Sequence, residues 1–589
     1  VVTPAAGVTA RIVIADRGPI DHAWDPFALS RGVIWHGSSQ IQGAAKTTWS
    51  TAQPVAKGAT TLTVADAAGW NVGDRLIVGG AAYQLIQYQW KLVPQDDDVR
   101  IAAIAGNVVT LDRPLAFAHA AVDAQHPGVV NLTRNVAIQS ANPAGDRRGH
   151  VMFMHNPDQS IAFAEFNDLG RTDKRRNVST PDGQGGGLAN PVGRYALHFH
   201  RTGTESQAVS VKGVAISGAP GWGLVNHDSH VNADRNVSYN VFGAHYVTEL
   251  GNERGSFTNN VAVRADGTGA LMGSLTEADF GHSGEGFWIE GSQVPLTGNV
   301  AIGMRSAGFT IFSPGNQPFA FRDNVSLQST NSLIVWTSRF PGVSFPQMPP
   351  SGTVFSTVAG NLLHSGVIMG YSSCLDFENN RVLAFENNAN SSGFSHTGVN
   401  GSIRYAGDKV TGFAVGVDMP TEGTNTVDGG YYDNLEVNLL VRNTQLNFPR
   451  TIDINGPQFG GRAAWNVEMQ ISFFTYDLRP AYPRGKYQEF NAVPDWRKLF
   501  DRNSFAVSSN SHVKLNGQRL YFAEQGSAFE FGKLLTRFPA EIRYEPDGAT
   551  PATGASLNAR GLNVGGWRLP EGEQSYRDKV RGVLVLGSN

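Results

Sequence analysis

Two histidines in one short stretch set the chemical question. In RYALHFHRTG, Arg194 to Gly203, His198 and His200 flank Phe199. On a β-strand, alternation sends both imidazoles to one side and Leu197 and Phe199 to the other. Histidines concentrate around this stretch: of fifteen in the chain, His150, His155, His198, His200, His227, His230, His245 and His282 fall between residues 150 and 282. The acids Asp228, Glu249, Glu253, Asp279 and Glu285 are interleaved with them. Such a set supports two chemistries. Two His at i and i+2, with a third His and a carboxylate from neighbouring segments, suit a divalent metal such as Zn, Mn, Fe, Ni or Cu. Without a metal, a His and a Glu beside a glycosidic bond protonate a leaving group or abstract a proton. The competing reading is a hydrogen-bonded polar ladder with no chemistry, the ordinary fate of any single one of these residues. As a cluster they are read as a site. His198, His200 and His227 are the expected metal ligands, and His245 and Glu249 the acid/base pair. His282 and Asp279 are further catalytic candidates.

The elements that position these residues are short strands. The chain has 589 residues, too long for one compact core, with 68 Gly and only 16% charged residues. β-Branched runs are cut by Gly, Asn or Asp, and the best helical candidate is VPDWRKLFDRN, Val493 to Asn503. A landmark recurs: NVAIQS at Asn135, GVAISG at Gly213, NVSYNV at Asn236, NVAVRA at Asn260, NVAIGM at Asn299, NVSLQS at Asn324 and NLLHSG at Asn361. From 213 to 236 is 23 residues, from 236 to 260 is 24 and from 299 to 324 is 25; the gaps 260 to 299 and 324 to 361 are 39 and 37, as though each carried an inserted loop. One short strand per landmark at this period is the signature of a parallel β-helix, in which stacking closes a core that no coil closes alone.

The repeat also supplies a register. His198 lies 15 residues before Gly213 and His245 15 before Asn260; His200 lies 13 before Gly213, Glu249 11 before Asn260 and His227 9 before Asn236. All these offsets are odd, which predicts one shared face on three successive coils. Gly221 and Gly223 take the offsets of His198 and His200 in the intermediate coil and are expected to leave open space between imidazoles.

The flanks read differently. QPVAKGATTLTVADAAGWNVGDRLIVGG and NVVTLDRPLAFAH predict an antiparallel or rolled β-module that caps the open end of the stack. After about residue 455 the landmark is lost, and FFTYDLRPAYPRGKYQEF, HVKLNGQRLYFAEQ and RGVLVLG predict a small C-terminal β-domain or cap. The expected architecture is all-β: an N-terminal module over 1–130, a right-handed parallel β-helix over 131–455 and a C-terminal cap over 456–589.

Ligand contacts are expected from three places. The basic loop GRTDKRRN supplies Arg171 and Lys174, with Arg175 and Arg176, as donors to carboxylates or sulfates. Arg194 opens the HFH stretch. In DFGHSGEGFWIEG, Trp288 or Phe287 is expected to stack on a sugar ring while the other is buried. A net charge of −3 argues against electrostatic capture of nucleic acid, and no apolar stretch reaches membrane-spanning length. The lone Cys374 excludes an intramolecular disulfide, and VVTPAAGVTA reads as a trimmed, exported chain, secreted or periplasmic.

The order SRGVIWHGSSQIQGAAKTTWS, GATTLTV, GWNVGDRLIV, LTRNVAIQS, RRGHVMFMH and GRYALHFHRTG resembles a known family. It is similar to the cell-migration-inducing hyaluronan-binding protein, its transmembrane hyaluronidase relative and the fibrocystin-like proteins, with many bacterial β-helix proteins of the same look. The resemblance covers roughly residues 30 to 330 and implies a glycine-rich N-terminal β-module followed by a parallel β-helix. The family has a Tyr-Pro-x-His-Phe-His motif; here Tyr195, His198, Phe199 and His200 match, and Ala196 replaces the Pro. His227 in GLVNHDSH matches a further family histidine. GAHYVTELG matches a Gly-His…Glu-Asp-Gly pattern through His245 and Glu249, with an inserted Ala and with Leu250 in place of the Asp. The resemblance implies an exported protein that acts on a polysaccharide; a hyaluronan-like, uronate-containing glycan is the expected substrate.

The reading is therefore a glycan-degrading enzyme that hydrolyses glycosidic bonds at a His-rich site, with a divalent ion (Zn, Mn, Ca or Cu) as the expected cofactor. β-Elimination by a polysaccharide lyase is the close alternative. A non-catalytic glycan-binding β-helix and a metal-dependent oxidative enzyme are the others.

Overall fold

The computed structural model describes residues 1–474 except 6, 87–88, 179–189, 270–279, 314–316, 337–352, 371, 386–390, 398–400, 421–422, 444–449 and 464, together with 511–519, 521–522, 527–530 and 533–541. The helical candidate at 493–503 and RGVLVLG lie outside the described residues. Among the described ones the only helical element is a single 3-10 turn, Gly145–Arg147. The chain divides into two compact units, Val1–Trp336 with Asn361–Ser365, and Thr337–Gly360 with Gly366–Asn589.

The first unit is a parallel β-helix. One column of strands runs Ala10–Ile14, Val136–Ser140, Ala164–Asn167, Ala215–Ser217, Val237–Tyr239, Val261–Ala265, Val300–Met304, Val325–Leu327 and Leu362–Leu363, each hydrogen-bonded in parallel to the next. The landmark valines set its register: Val237, Val261, Val300 and Val325 are successive partners. The asparagine before each valine is fully buried and forms an internal ladder. The backbone N–H and side-chain amide of Asn260 both donate to Asn299 Oδ1 at 3.0 Å. Asn299 donates likewise to Asn324 Oδ1 at 2.9 and 3.0 Å, and its amide also reaches the Phe257 carbonyl at 2.8 Å. Each Asn thus satisfies turn backbone on two coils, which is why the repeat keeps this residue type here.

Asn299→Ala strips the acceptor from Asn260 and the donor from Phe257, leaving buried polar groups unpaired. A loss of roughly 3 kcal/mol is expected, read as a lower urea midpoint. An unchanged midpoint refutes the ladder's role.

The coil plan begins earlier than the boundary expected at 131. Gly32–Trp35 and Ser39–Gln42 pair in parallel with His150–Met154 and Gln159–Ala162. With Ala10–Ile14 they make the first coil. The antiparallel module is an insertion between that coil and the next: strands Trp49–Thr51, Gly128–Asn131, Arg75–Val78, Asp97–Ala105, Val108–Leu111 and Thr61–Thr63 form one six-stranded sheet around Leu62, Trp70, Leu76, Val99 and Val109. It flanks the stack and does not cap its end. Thr48 Oγ1 donates to the Arg235 carbonyl (2.6 Å), Trp49 Nε1 to Asn259 (2.9 Å) and Tyr83 Oη to Ser329 (3.1 Å), so it runs beside several coils. Residues far apart in sequence but on adjacent coils lie one strand spacing apart, which is how one small sheet reaches them all.

Inside the helix, side chains of equal register stack. Trp35, Phe153 and Phe199 stack at 5.1 and 5.3 Å, and Tyr246, Phe287 and Phe309 at 4.7 Å each. Leu197 and Phe199 therefore face the core, as alternation predicts.

The second unit repeats the coil plan with Ser356–Ala359, Ser373–Glu378, Gly401–Ala406, Gly423–Asp428, Arg450–Asn455 and Ser511–Leu515 in parallel. Parallel pairing thus passes the boundary expected at 455. Antiparallel pairing begins where Ser511–Leu515 turns back on Gln518–Arg519, and Lys533–Glu541 runs antiparallel to Trp465–Phe474.

Candidate active site

The outward alternates of Leu197 and Phe199 meet their counterparts from the next two coils. The strand Leu197–Gly203 pairs with Leu224–Asp234, which places His200 beside His227. Leu224–Asp234 pairs in turn with Tyr246–Thr248, and Glu249 follows directly beside His227. The result is a compact group. His198, His200 and His227 have ring centroids 4.6 to 5.6 Å apart. Glu249 Oε2 lies 2.5 Å from His227 Nδ1 and 3.9 Å from His198 Nε2. One ligand atom each from His198, His227 and Glu249 fall within 4.8 Å of one another.

The protonation states follow from the surroundings. His198 Nδ1 lies 2.9 Å from the Gly193 carbonyl oxygen. A carbonyl only accepts, so Nδ1 carries the proton and Nε2 presents its lone pair toward Glu249. Burial, then the neighbouring His227 and His200, hold His198 well below the usual imidazole range, so it is neutral. Burial and the same kind of crowding push His200 down to about 3. For His227, burial acts downward, but the hydrogen bond and charge of Glu249 outweigh it and raise its affinity for a proton. Three ring nitrogens, His198 Nε2, His200 Nδ1 and His227 Nε2, are buried without a hydrogen-bond partner. Buried polar atoms are ordinarily paired, so three of them gathered beside one carboxylate mark a place for a ligand. A backbone-pinned imidazole with its other nitrogen free is also how proteins orient metal-ligating histidines.

Two residues at the site escaped the sequence reading. Glu253 was visible only as one acid among several. Its buried carboxylate accepts the backbone N–H groups of Asp228 (3.1 Å), Glu249 (3.2 Å), Leu250 (2.8 Å) and Gly251 (2.8 Å). It therefore ties the turn after His227 to the turn that carries Glu249. Tyr195, a matched family position, is fully buried, stacks on Trp222 at 4.4 Å and has a hydroxyl with no partner. Burial, then the charge of Glu249, keeps that hydroxyl protonated. Glu253→Gln turns an NH2 toward amide N–H groups. Exchange of the Leu250 and Gly251 amides is expected to accelerate roughly a hundredfold, equivalent to about 2–3 kcal/mol. Exchange at the parent rate counts against the tie.

Other expected site residues have different jobs. His245 is fully buried in the interior, between Ser238 Oγ (2.7 Å) and the Arg264 carbonyl (3.1 Å). Its offset equals that of His198 by count only: in true register His198 stands level with Val225 and Val247, so His245 lies two residues earlier, just before the strand Tyr246–Thr248. By true register His198 pairs with Val225, not Gly221. Gly221 and Gly223 leave no open space, since a Cβ would strike the Thr172 and His245 carbonyl oxygens. His282 is buried and its Nδ1 pairs with Thr268 Oγ1 at 2.7 Å. Asp279 lies outside the described residues.

The four expected substrate contacts are interior. Arg171 donates to the Ala28 carbonyl and to His150 Nδ1 (3.0 Å), and Arg194 to the Phe27 carbonyl (2.7 Å). Both clamp the 27–28 loop and are 5% and 7% exposed. Lys174, 2% exposed, donates to the Phe280 carbonyl (2.9 Å) with its ammonium 4.2 Å from the Trp222 ring centre. Trp288 is 2% exposed and packs with Tyr195, Trp222 and Phe280, and Phe287 is fully buried as well. These residues build the wall behind the histidines; they cannot reach a bound chain.

Fold and site together define a class: a parallel β-helix with an antiparallel module inserted after its first coil and a His/Glu cluster on its outer face. Residues 184–337, which include the whole cluster, match the CEMIP beta-helix family. The chain is 27% identical over 274 residues to a G8 domain-containing protein of Dictyostelium discoideum, covering 44% of this chain and 22% of that protein. It is 23% identical over 303 residues to Fibrocystin-L of Mus musculus, covering 43% of this chain and 6% of that protein. The chain thus spans less than a quarter of the length of these curated relatives. The resemblance to the CEMIP and fibrocystin-like proteins is borne out for the β-helix. Similar solved structures include the tailspike protein of Pseudomonas phage LKA1 (9% identity, 75% of this chain, 64% of that chain, TM-score 0.25). Another is the catalytic domain of a GH87 alpha-1,3-glucanase (9% identity, 74% and 91%, TM-score 0.27). At such scores neither carries an argument about function.

Proposed function

We propose that this chain cleaves a polysaccharide at His198, His200, His227 and Glu249, by hydrolysis. The observation that carries the reading is the set of three partnerless ring nitrogens gathered beside one carboxylate on an outward face. In this reading His227, whose proton Glu249 holds, is the acid toward the glycosidic oxygen, and neutral His198 is the base toward water. The family resemblance supports a uronate-containing, hyaluronan-like polymer and an exported protein. No helix among the described residues is long and apolar enough to cross a membrane.

The donor set also fits a divalent ion. His198, His227 and Glu249 would hold it, and two imidazole nitrogens with one carboxylate oxygen suit Zn, Mn or Cu better than Ca, which prefers oxygen. Such an ion would supply Lewis acidity to water or to a uronate carboxylate.

β-Elimination is favoured by one observation: Arg201 is exposed, its charge acts on His200, and it could neutralise a uronate carboxylate. The test is incubation of the purified protein with hyaluronan and with a neutral glucan, with products analysed and metal content measured by elemental analysis. New reducing ends without ultraviolet-absorbing termini support hydrolysis; unsaturated termini overturn it for the lyase. Binding without any cleavage overturns both and leaves a glycan-binding module. A protein free of metal and fully active removes the ion from the reading.

A further inference from the structure

The catalytic cluster is the end of a longer row of imidazoles. His36, on the first coil, lies 5.4 Å centroid to centroid from His155; His155 lies 6.2 Å from His200, and His200 4.6 Å from His227. Four successive coils thus present one imidazole each, and Glu249 follows on the fifth. His36 and His155 are exposed, while His200 and His227 are half-buried. Strict register does not produce this row. Met154 is the residue paired with His200, and His155 stands one step beyond it. His155 joins the row because its backbone adopts φ 57°, with its N–H donating to the His200 carbonyl at 3.2 Å. A non-glycine residue at positive φ is unfavourable and persists where the surroundings hold it.

We propose that these histidines are the binding track of a polysaccharide chain lying along the helix axis, running from Glu249 toward the first coil. This rests on the reading of the cluster as a glycan-cleaving site. Adjacent coils are about 4.8 Å apart, close to the advance per sugar of an extended glycan, so each sugar meets one imidazole. An imidazole suits that role: its edge exchanges hydrogen bonds with hydroxyls and its face packs on the C–H side of a pyranose. The direction follows from the opposite side. Beyond Glu249 the outward positions on the next coils are Glu290, Phe312 and Trp336, and Phe312 is engaged with the aromatic cluster around Trp222. Arg201 is the cation beside the track, at the coil of His200, and would select a carboxylate-bearing sugar there.

The test separates binding from turnover by working in a Glu249→Gln background. Affinities of short and long hyaluronan oligosaccharides are measured by calorimetry for that protein and for one also carrying His36→Ala and His155→Ala. Affinity is expected to grow with chain length in the first. In the second, long chains are expected to lose about tenfold, about 1.4 kcal/mol, and the shortest ligands nothing. Equal affinity of both proteins for every length overturns the track, and so does an equal loss at every length. If the parent cleaves glycans but the double substitution changes no affinity, the track alone falls. If the length-dependent loss is seen but the parent cleaves nothing, the catalytic reading falls and the track stands. Binding of no oligosaccharide overturns both.

Discussion

Glu249→Gln is expected to lower turnover by 10²- to 10⁴-fold while the protein melts within a few degrees of the parent. The glutamine is the same size, and Glu249 has only one close side-chain partner, His227 at 2.5 Å. The turn that carries it is held by Glu253 through backbone amides, a support the substitution leaves intact. What is lost is negative charge. Without it His227 loses the partner that holds its proton, and His198 Nε2, 3.9 Å away, loses the carboxylate it faces. In a metal-loaded protein the same change removes the only charged ligand of the set, so metal content falls with activity. The measurement is kcat on the cleaved polymer together with elemental analysis. Retention of a tenth or more of the parent rate would exclude Glu249 from the chemistry. A matched His245→Gln variant is expected to act through stability instead, because His245 bridges Ser238 and Arg264 inside the core.

The second large effect concerns the second unit and its pH response. Asp408 is fully buried and accepts from Asn380, backbone N–H at 2.8 Å and side-chain amide at 2.9 Å, all on Oδ1. It stands toward Asn380 as Asn299 stands toward Asn260. Oδ2 has no partner. Burial raises its pKa to about 7 from an ordinary 3.8; the Asn380 hydrogen bonds oppose this, and the charges of Asp376 and Glu378 add to it. The sign follows. Between pH 4 and 7 the folded chain keeps a proton that the unfolded chain releases, so stability falls as pH rises through this window and levels off above about 7. Asp408→Asn carries no titrating group and supplies a permanent donor where Oδ2 has nothing to accept. The variant is expected to lack this slope and, at pH 8, to be more stable by on the order of 3 kcal/mol. Urea unfolding of parent and variant at pH 5 and pH 8 reads it directly. Parallel pH responses in the two proteins sink the assignment.

Much of this molecule was legible in order of residue type. The Asn-Val landmarks predicted one strand per coil, and they do form the internal ladder, because stacked coils bring identical positions to one strand spacing, where an amide serves two coils at once. HFH predicted two outward imidazoles, and the hydrophobic alternates Leu197 and Phe199 enforce that in the core. His227 and Glu249 were legible as their neighbours, since strand register carries a face from coil to coil. The flanking module was legible as antiparallel, but its place was not: Trp49 meets Asn259 across 210 positions of sequence, a contact no local pattern encodes.

What only tertiary structure decided is which polar residues stay free. Arg171, Lys174, Arg194 and Trp288 have the residue types of glycan contacts, yet each is spent inside the wall: the cations because burial forces them to find internal acceptors, and Trp288 because its ring packs on Tyr195, Trp222 and Phe280. His245 has the residue type and nearly the spacing of a site residue. It lies two residues before the level of His198, at the corner that precedes the strand Tyr246–Thr248, and counting from a landmark offers no warning of that. Conversely, Glu253 looked like any acid until four amides converged on it, and His155 joined the row through one backbone angle. Sequence alone determined the coil, the ladder and the HFH face, which depend on repeats and alternation. Three-dimensional packing determined the membership of the site, because membership depends on which hydrogen bonds remain unmade once everything else is folded.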